Sequence, residues 1–325
     1  MRFALIGCGK IGIKRAESMP NGSSLFGCYD SNIQNAKNFA AEFNVNAYEN
    51  LENLINSKEI EAVIIATTHD RLSELTRIVL NAKRHVFVEK PGAISYGEFK
   101  AIAKIAKEKN LKIHVGYNHR YHPAIIDAFK IVAKGGIGPI MFIRGRYGHG
   151  GRVGYEKEWR ADKSKSGGGE LIDQGTHLLD LAIGLLGPVN LDYAAIPTYF
   201  WKMDVEDNAF LSVKNSNGSL AFLHASCTEW KNMFSLEIYG ETGKLEITGL
   251  GRSYGLETLT FHKMKPEMGP PETETWTYPE SDKSWMHELK DFVEDIDTGL
   301  NNSDNVESSM EILRIIEEVY QKGSE

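Results

Sequence analysis

The amino-acid sequence predicts two domains. An α/β domain with a parallel sheet is expected over residues 1–121, and an α+β domain with an open, mostly antiparallel sheet over residues 122–325. A chain of 325 residues is long enough for two domains. In its first third, short apolar runs alternate with helical patterns, which is typical of a parallel sheet with right-handed crossovers. Beyond residue 122, longer alternating strands follow one another through short turns, which indicates antiparallel pairing.

The first domain is predicted from five short apolar runs. These runs are FALIG (3–7), LFGCYD (25–30), AVIIAT (62–67), HVFVEK (85–90) and KIHVGY (112–117). Helical spacing separates them over residues 11–19, 32–43, 72–82 and 96–110. Buried strands that alternate with helices in this way predict repeated β–α units.

The second domain is predicted from a helix over residues 124–134 and a series of alternating strands. The strands are PIMFIRGRY, NAFLSVKN, SLAFLHASC, FSLEIYG and KLEITGL, with hairpin turns at 215–218 and 240–243. A helix over 170–186 interrupts the series. Residues 263–283 are rich in Pro, Glu and Thr and are predicted to form a loop. The tail over 285–321 is predicted to be helical, with the C-terminal helix returning towards the first domain.

Composition excludes several classes of protein. The net charge of −7 and the lack of a Lys/Arg tract argue against a nucleic-acid partner. The three cysteines, Cys8, Cys28 and Cys227, have neither metal-ligand spacing nor the number expected of a disulfide framework. No stretch approaches the ~20 apolar residues of a membrane span. A soluble, cytoplasmic protein without a metal is expected.

A glycine pattern lies directly after the first predicted strand. Gly7, Gly9 and Gly12 form G-x-G-x-x-G before a predicted helix, which is the context that a dinucleotide-binding loop requires. The first glycine permits a tight turn, the second a close approach of the pyrophosphate, and the third close packing of helix on strand. The phosphates would lie at the helix N-terminus, where backbone N–H groups favour negative charge. The expected cofactor contacts of the loop are Gly7, Gly9, Lys10, Ile11 and Gly12.

An acidic residue ends the second predicted strand. The carboxylate of Asp30 can accept hydrogen bonds from the adenosine ribose hydroxyls, and it would repel a 2′-phosphate. Ser31 and Asn32 follow, so that no arginine is present to bind that phosphate. NAD is therefore favoured over NADP as the cofactor. The alternative is that Asp30 only caps the following helix.

Five motifs occur in the order and approximate spacing of one known family. They are the glycine loop, ATTHD after the third strand, EKPG (89–92), GYNHRYHP (116–123) and GGGELIDQGTHLLDL (167–181). Together they resemble the glucose–fructose oxidoreductase / inositol dehydrogenase / MocA (Gfo/Idh/MocA) family over the whole chain. The resemblance implies a Rossmann domain, a second domain with an open sheet, and hydride transfer between nicotinamide and a carbinol or keto carbon. The implied substrate is a sugar, a cyclitol or a sugar derivative. The implied assembly is a homodimer or homotetramer formed through the C-terminal sheet.

Three residues are the candidates for catalysis. Lys90 lies at the carboxyl end of a predicted strand, where α/β sheets bind ligands, and its charge would favour a developing alkoxide. Asp173 and His177 are separated by helical i, i+4 spacing and so share a helix face. Histidine is suited to accept the hydroxyl proton. The resemblance implies that Lys90 is the family's catalytic lysine. The alternatives are that Lys90 is a solvated surface lysine, and that Asp173 caps a helix while His177 is a structural histidine. Asp180 is expected to be structural.

The resemblance extends the site to other segments. Further cofactor contacts are expected at Ser31, Ala66, Thr67, Thr68, His69, Leu72, Glu89, Lys90, Asn118, Trp159 and Arg160. Substrate contacts are expected at Lys90, Asn118, Arg120, Tyr121, His149, Arg152, Trp159, Arg160, Asp173 and His177. Thr68, His69 and Leu72 stand where family members often have Pro, Asn and His, which puts details of the nicotinamide contact in doubt.

The segment 145–169 is rich in glycine and basic residues, which is unusual in an acidic protein. It could close over an anionic substrate, such as a sugar acid, a phosphorylated sugar or a nucleotide-linked sugar, since arginine binds carboxylate and phosphate well. The alternative is a solvated loop whose charges have no such role. Glu156, Glu158 and Asp162 dilute its charge.

Two other functions remain open. One is a glycosidase of the same family that keeps NAD bound for transient oxidation. The other is a non-catalytic regulator that senses a dinucleotide, although the presence of Lys90 and His177 counts against it. The sequence decides neither the sugar nor the direction of the reaction.

Overall fold

A computed structural model describes residues 1–267, 269–299 and 305–322. The chain divides into two compact units. Unit 1 comprises Met1–Tyr117 together with residues 285–299 and 305–313, and unit 2 comprises Asn118–Ser284 together with residues 314–322. The break after Tyr117 precedes the predicted boundary, so that Asn118–Tyr121 belongs to unit 2.

Unit 1 contains the parallel sheet that the sequence predicted. Its six strands lie in the order β3-β2-β1-β4-β5-β6, and every neighbouring pair is parallel. The strands are β1 (Arg2–Ile6), β2 (Ser24–Tyr29), β3 (Asn46–Ala47), β4 (Ala62–Ile65), β5 (His85–Glu89) and β6 (Ile113–Gly116). The helices are α1 (Lys10–Glu17), α2 (Ile33–Phe43), α3 (Leu51–Ile55), α4 (His69–Asn81) and α5 (Tyr96–Lys109). The two-residue strand β3 and the short helix α3 were not predicted.

The apolar runs form the centre of this sheet because helices cover both of its faces. Phe3, Leu5, Ile64 and Phe87 are completely buried, and each such side chain contributes about 1.5–3 kcal/mol to folding. Local sequence also marks where the helices begin. The side chains of Asn32, Asn50 and Ser95 cap α2, α3 and α5 by accepting backbone N–H groups of the first turn.

Unit 2 contains an eight-stranded sheet in the order β14-β13-β12-β11-β7-β10-β9-β8. Among the described strands of this second sheet, only β7 and β10 pair in parallel, so the predicted mostly antiparallel sheet is confirmed. The strands are β7 (Ile140–Gly148), β8 (Val189–Ala195), β9 (Asn208–Asn215), β10 (Leu220–Ser226), β11 (Met233–Gly240), β12 (Gly243–Thr248), β13 (Glu257–Lys263) and β14 (Glu272–Tyr278). The helices are α6 (Pro123–Ala133), α7 (Lys163–Ser166) and α8 (Thr176–Leu186).

The predicted loop over residues 263–283 is wrong in its second half. Residues Glu272–Tyr278 form β14, the edge strand of the sheet, and pair antiparallel with β13. Its sequence, ETETWTY, alternates threonine with Glu, Trp and Tyr, a pattern that suits an exposed strand. An edge strand with charged side chains needs no apolar face, so its composition does not distinguish it from a loop.

The C-terminal tail forms two helices, α9 (Ser284–Thr298) and α10 (Asn305–Lys322). Helix α9 packs on the apolar core of unit 1, where Leu289 and Phe292 are buried. The Phe292 ring lies 6.3 Å from that of Phe3 and 5.7 Å from that of Phe87. Among the described residues, no helix has the length and apolar character needed to cross a bilayer.

Candidate functional site

The glycine loop of unit 1 connects β1 to α1 in a geometry that only small residues permit. Gly7 has φ +97°, in the left-handed region, and a Cβ there would collide with the carbonyl oxygen of Ala66. A Cβ on Gly12 would collide with the carbonyl oxygen of Gly7. The first and third glycines are therefore required by the fold itself, as the motif predicts.

Gly9 differs from both of these glycines. A Cβ built on Gly9 would meet no atom of the described residues within 4 Å. Gly9 is the N-cap of α1, and among the described residues no side chain caps this helix. The N–H groups at the start of a helix attract anions. Gly9 thus leaves open the space that a dinucleotide's pyrophosphate needs, and the loop fits the cofactor.

The carboxylate of Asp30 holds the end of β2 against this loop. Its oxygens accept the backbone N–H of Cys8 at 2.8 Å and that of Asn32 at 2.8 Å. The cap of α2 is the side chain of Asn32, which accepts from Gln34 N at 3.0 Å. The side-chain amide of Asn35 also donates to the Asp30 carboxylate at 3.5 Å. A carboxylate has about four acceptor positions, so these three bonds leave capacity for a ribose hydroxyl. Ser31 is exposed beside it.

The segment after β4 contains the residues that depart from the family pattern. Thr67 and Thr68 lead into α4, and the hydroxyl of Thr67 donates to the Thr68 carbonyl oxygen at 3.3 Å. His69 and Leu72 are buried, with 3% and 0% exposure. The Leu72 side chain thus belongs to the interior of unit 1, and a cofactor contact there remains a prediction.

Lys90 directly follows β5 and is joined to Pro91 by a cis peptide bond. The preceding residue, Glu89, is buried and accepts from the Arg15 guanidinium of α1 at 2.6 Å. Arg15 also binds Glu288 of α9 at 2.7 Å. Burial raises the pKa of the Glu89 carboxyl, while the charges of Arg15 and Lys90 oppose that shift. The expected cofactor residue Glu89 therefore anchors the backbone that carries Lys90.

In unit 2, Asp173 and His177 lie at the start of the predicted helix, which is not regular. Leu171–Gly175 forms a π-helical turn, and α8 begins after it. The hydroxyl of Thr176 donates to the Asp173 carbonyl oxygen at 3.1 Å, which competes with regular helical pairing. Such π turns are frequent at functional sites.

Close packing explains the glycine run GGG (167–169) that precedes this turn. A Cβ on Gly168 would collide with the Tyr320 hydroxyl, and one on Gly169 would collide with the Glu206 backbone. The carboxylate of Glu206 accepts from the backbone N–H of Leu171 at 3.1 Å and from the Tyr320 hydroxyl at 2.8 Å. These contacts fix the backbone on which Asp173 stands.

The side chains of Asp173 and His177 are both buried, with 4% and 5% exposure. The Asp173 carboxylate accepts from the Arg160 guanidinium at 2.8 Å, and this carboxylate raises the pKa of Arg160. The His177 ring stacks on that of His119, with centroids 3.9 Å apart and planes 17° apart. A carboxylate paired with a guanidinium and a stacked imidazole are thus placed four residues apart in one helical segment.

Sequence reasoning missed several residues in this part of unit 2. Tyr147 of β7 presents its ring edge-on to His177 at 5.9 Å, and the ring of Tyr254 lies 5.0 Å from that of Tyr147. Burial raises the pKa of both phenols. Tyr155 donates to the buried carboxylate of Glu170 at 2.9 Å. Glu170 lies in the motif GGGELIDQGTHLLDL and His119 in the motif GYNHRYHP. Tyr147 and Tyr254 have no local sequence pattern that would identify them.

Two predicted substrate residues bind other side chains within unit 2. The Arg120 guanidinium donates to the buried Asp180 carboxylate at 2.7 Å. This ion pair supports the expectation that Asp180 has a structural role. The Asn118 amide donates to the Ser284 hydroxyl at 2.9 Å. Tyr121 completes the same 3-10 turn and is half-buried. Their contacts with substrate or cofactor remain predictions.

The basic segment 145–169 is ordered. It contains two 3-10 turns, Tyr155–Lys157 and Trp159–Ala161, followed by α7. The Arg160 guanidinium lies over the Trp159 ring at 4.6 Å, and that of Arg152 donates to the Glu158 carboxylate at 2.6 Å. His149 accepts the Gly151 backbone N–H on Nδ1 at 3.0 Å, and burial lowers its pKa. Most of the positive charge is thus already paired.

The described residues contain no group of three or more His, Cys, Asp or Glu side chains arranged to hold a metal ion.

Comparison with known proteins identifies the family. Residues 1–117 match the model described as "Oxidoreductase family, NAD-binding Rossmann fold", and residues 125–246 match that of the "GFO/IDH/MocA C-terminal domain". The chain belongs to the Gfo/Idh/MocA family. Its first domain is an NAD-binding Rossmann domain, and the resemblance found in the motifs is confirmed.

Several Gfo/Idh/MocA proteins are similar to this chain. Levoglucosan dehydrogenase of Pseudarthrobacter phenanthrenivorans is 27% identical over 62% of this chain and 58% of its own length. Glucose-6-phosphate 3-dehydrogenase of Bacillus subtilis is 29% identical over 55% of this chain and 52% of its own length. The matched region thus spans little more than half of each relative. A structure of levoglucosan dehydrogenase with NADH and L-sorbose has a TM-score of 0.89 at 22% identity, covering 100% of this chain and 97% of that chain, and shares its fold.

Proposed function

We propose that this chain is an NAD-dependent oxidoreductase that transfers a hydride between nicotinamide and a carbinol or keto carbon of a sugar, cyclitol or sugar derivative. In the proposal, His177 exchanges the hydroxyl proton, Asp173 orients the substrate, and Lys90 polarises the reacting oxygen. The observation that carries it is that buried His177 follows, four residues along the same helical segment, the buried Asp173 whose carboxylate binds Arg160. Bound NAD would supply the hydride acceptor.

The glycine loop and Asp30 support NAD rather than NADP. The loop offers the helix N-terminus and the open space at Gly9 to the pyrophosphate. Asp30 offers a carboxylate to the ribose, and this negative charge opposes a 2′-phosphate. Ser31 and Asn32 supply no positive charge that would reverse this preference.

Proton transfer is assigned to His177. Hydride removal from a secondary alcohol leaves a carbonyl only if the hydroxyl proton also departs, and an imidazole is suited to accept it. The Arg160 guanidinium favours the ionised form of Asp173. The carboxylate can then accept a substrate hydroxyl and favour the imidazolium that forms on His177.

Lys90 of unit 1 is assigned the polarising role. Arg15 holds Glu89, and Glu89 fixes the start of the segment that carries the lysine. An ammonium group beside the reacting oxygen stabilises the alkoxide that develops during hydride transfer.

An uncharged sugar ring is the favoured substrate class. Arg152 and Arg160 already bind Glu158 and Asp173, so an anionic substrate would have to compete with two carboxylates. Levoglucosan, named for one relative, is such an uncharged sugar, whereas the other relative is named for a sugar phosphate.

The outer face of the sheet in unit 2 supports self-association. Phe222 of β10 is 49% exposed. On the neighbouring strand β7, Phe142 stacks on Tyr239 of β11 with ring centroids 4.3 Å apart. Apolar surface of this kind is typical of protein interfaces. We propose a homodimer or homotetramer through this face, which the change Phe222→Glu should dissociate in analytical ultracentrifugation.

The central test is a screen for NADH formation with inositols, free sugars, anhydrosugars, sugar acids, sugar phosphates and nucleotide sugars, run in both directions. The proposal predicts turnover with an uncharged sugar-like compound and loss of that turnover in Lys90→Ala. Hydrolysis of a glycoside without released NADH would instead identify the glycosidase alternative. Tight NAD binding without turnover of any compound would favour the regulator.

A further inference from the structure

The ring of His119 lies face to face with that of His177. Their centroids are 3.9 Å apart, their planes are 17° apart, and the two residues are 4% and 5% exposed. His119 belongs to the 3-10 turn Asn118–Tyr121, whereas His177 belongs to α8. This stack joins two segments that are far apart in the chain.

The ring of His119 is itself enclosed by other rings. Tyr147 lies edge-on to it at 4.7 Å, Phe234 edge-on at 5.8 Å, and His122 edge-on at 5.9 Å. Edge-to-face packing of this kind is a favoured arrangement of aromatic rings. Because every one of these neighbours belongs to unit 2, the His119 ring is held in a fixed position within that unit.

The residues that follow His119 are also anchored. The neighbouring Arg120 binds the Asp180 carboxylate of α8 at 2.7 Å. His122 binds Glu257 at 3.1 Å, and the backbone N–H of Ala124 donates to the same carboxylate at 2.8 Å. The segment is therefore tied to α8 at two consecutive residues, His119 and Arg120.

We infer that His119 is a positioning residue for the proposed proton transfer, and that its flat ring fixes the plane of the His177 imidazole. The inference rests on the proposed function and deepens it. A ring stacked on one face of an imidazole fixes the plane in which its two nitrogens point. The stack also restricts rotation of the His177 side chain, which would otherwise move those nitrogens.

The size of the effect follows from the geometry of proton transfer. A general base acts at about 2.6–3.2 Å from the proton donor, and a misplacement of about 1 Å can lower the rate about 100-fold. Binding of substrate and cofactor depends far less on the plane of one ring. Loss of the stack should therefore lower kcat and leave KM and NAD affinity nearly unchanged.

The test compares His119→Leu, which removes the flat ring, with His119→Phe, which keeps it. We expect kcat to fall about 10- to 100-fold in the leucine variant and to lie within about threefold of the wild type in the phenylalanine variant. KM, the Kd of NAD and the thermal unfolding midpoint are measured for both. Rescue by phenylalanine separates ring stacking from the ionisation of His119.

Two outcomes would overturn the inference. One is wild-type kcat in His119→Leu. The other is a loss of more than about tenfold in a His119→Phe variant that unfolds at the wild-type midpoint, and this second outcome counts even if the leucine variant does not fold.

Failure of the proposed function is recognised separately. If His177→Ala keeps its turnover, the acid/base assignment fails regardless of His119. The stack is then judged by NMR of histidine-labelled protein, in which the ring protons of His177 should shift when leucine replaces His119. Unshifted protons would show that the rings are not stacked in solution.

Discussion

The proposed dinucleotide half in unit 1 and the proposed proton-transfer half in unit 2 are built in different ways. The dinucleotide half in unit 1 is made largely of backbone, from the glycine loop and the first turn of α1, within a short stretch of sequence. The proton-transfer half in unit 2 is made of side chains from the 3-10 turn at Asn118–Tyr121, strand β7, the segment 145–169 and the π turn. The dinucleotide half depends on positions that have no side chain, and the proton-transfer half depends on contacts between side chains.

This difference predicts different responses to mutation. Changes in the loop act through collision with backbone atoms, or through loss of the space that a pyrophosphate needs. Changes around His177 remove a proton acceptor, a charge or a ring, and leave the loop intact. Cofactor affinity and turnover should therefore respond separately to mutations in the two halves.

The largest effect is expected from His177→Ala. Removal of a general acid/base lowers kcat about 100- to 10,000-fold, whereas the Kd of NAD should not change. Steady-state kinetics and NAD titration measure both quantities, with His262→Ala on β13 as the control. If Lys90→Ala acts in the same chemical step, the double variant should lose less than the product of the two single losses. Unchanged turnover in His177→Ala would contradict the assignment.

The matched pair Gly12→Ala and Gly9→Ala tests the backbone half. A methyl group on Gly12 collides with the Gly7 carbonyl oxygen, so we expect about 2 kcal/mol or more of lost stability. A methyl group on Gly9 meets no described protein atom, so its unfolding midpoint should match the wild type while NAD binds about tenfold or more weakly. Thermal unfolding and NAD titration check both variants. Wild-type NAD affinity in Gly9→Ala would show that the pyrophosphate does not pass over this loop.

A smaller effect is expected from Asp30→Asn, which keeps the shape of the side chain and removes its charge. The ratio of NADP Kd to NAD Kd should fall about tenfold, because the 2′-phosphate is no longer repelled. Asn50→Ala, at the cap of α3, serves as a control in the same unit. An unchanged ratio would mean that Asp30 only holds the loop through Cys8 and Asn32.

The smallest effect concerns pH and His149. Burial lowers the pKa of His149, with opposing contributions from Asp173 and Glu158 and reinforcing ones from Arg160 and Arg152. Folded unit 2 then binds fewer protons than the unfolded chain as the pH falls through about 6.5, and stability is lost there. Denaturant unfolding between about pH 7.5 and about pH 5.5 should show a smaller loss in His149→Gln than in the wild type. Equal losses would contradict this assignment.

The sequence alone determined the features that depend on local pattern. The five apolar runs of unit 1 predict its parallel sheet because burial on both faces leaves a continuous apolar signal. The glycine loop is equally local, since Gly7 and Gly12 avoid collisions with backbone carbonyl oxygens and Gly9 leaves space open beside the helix N-terminus. The edge strand β14 escaped prediction because its exposed side chains carry no such signal.

Only the tertiary structure decided which side chains surround His177. The ring of Tyr147 lies edge-on to that of His177 and packs against Tyr254, and no spacing in the sequence relates either tyrosine to the π turn. The same is true of the stack between His119 and His177, which exists because Arg120 and Asp180 hold the 3-10 turn against α8. Contacts between distant segments depend on packing and the pairing of buried charges, which hydrophobic periodicity does not encode.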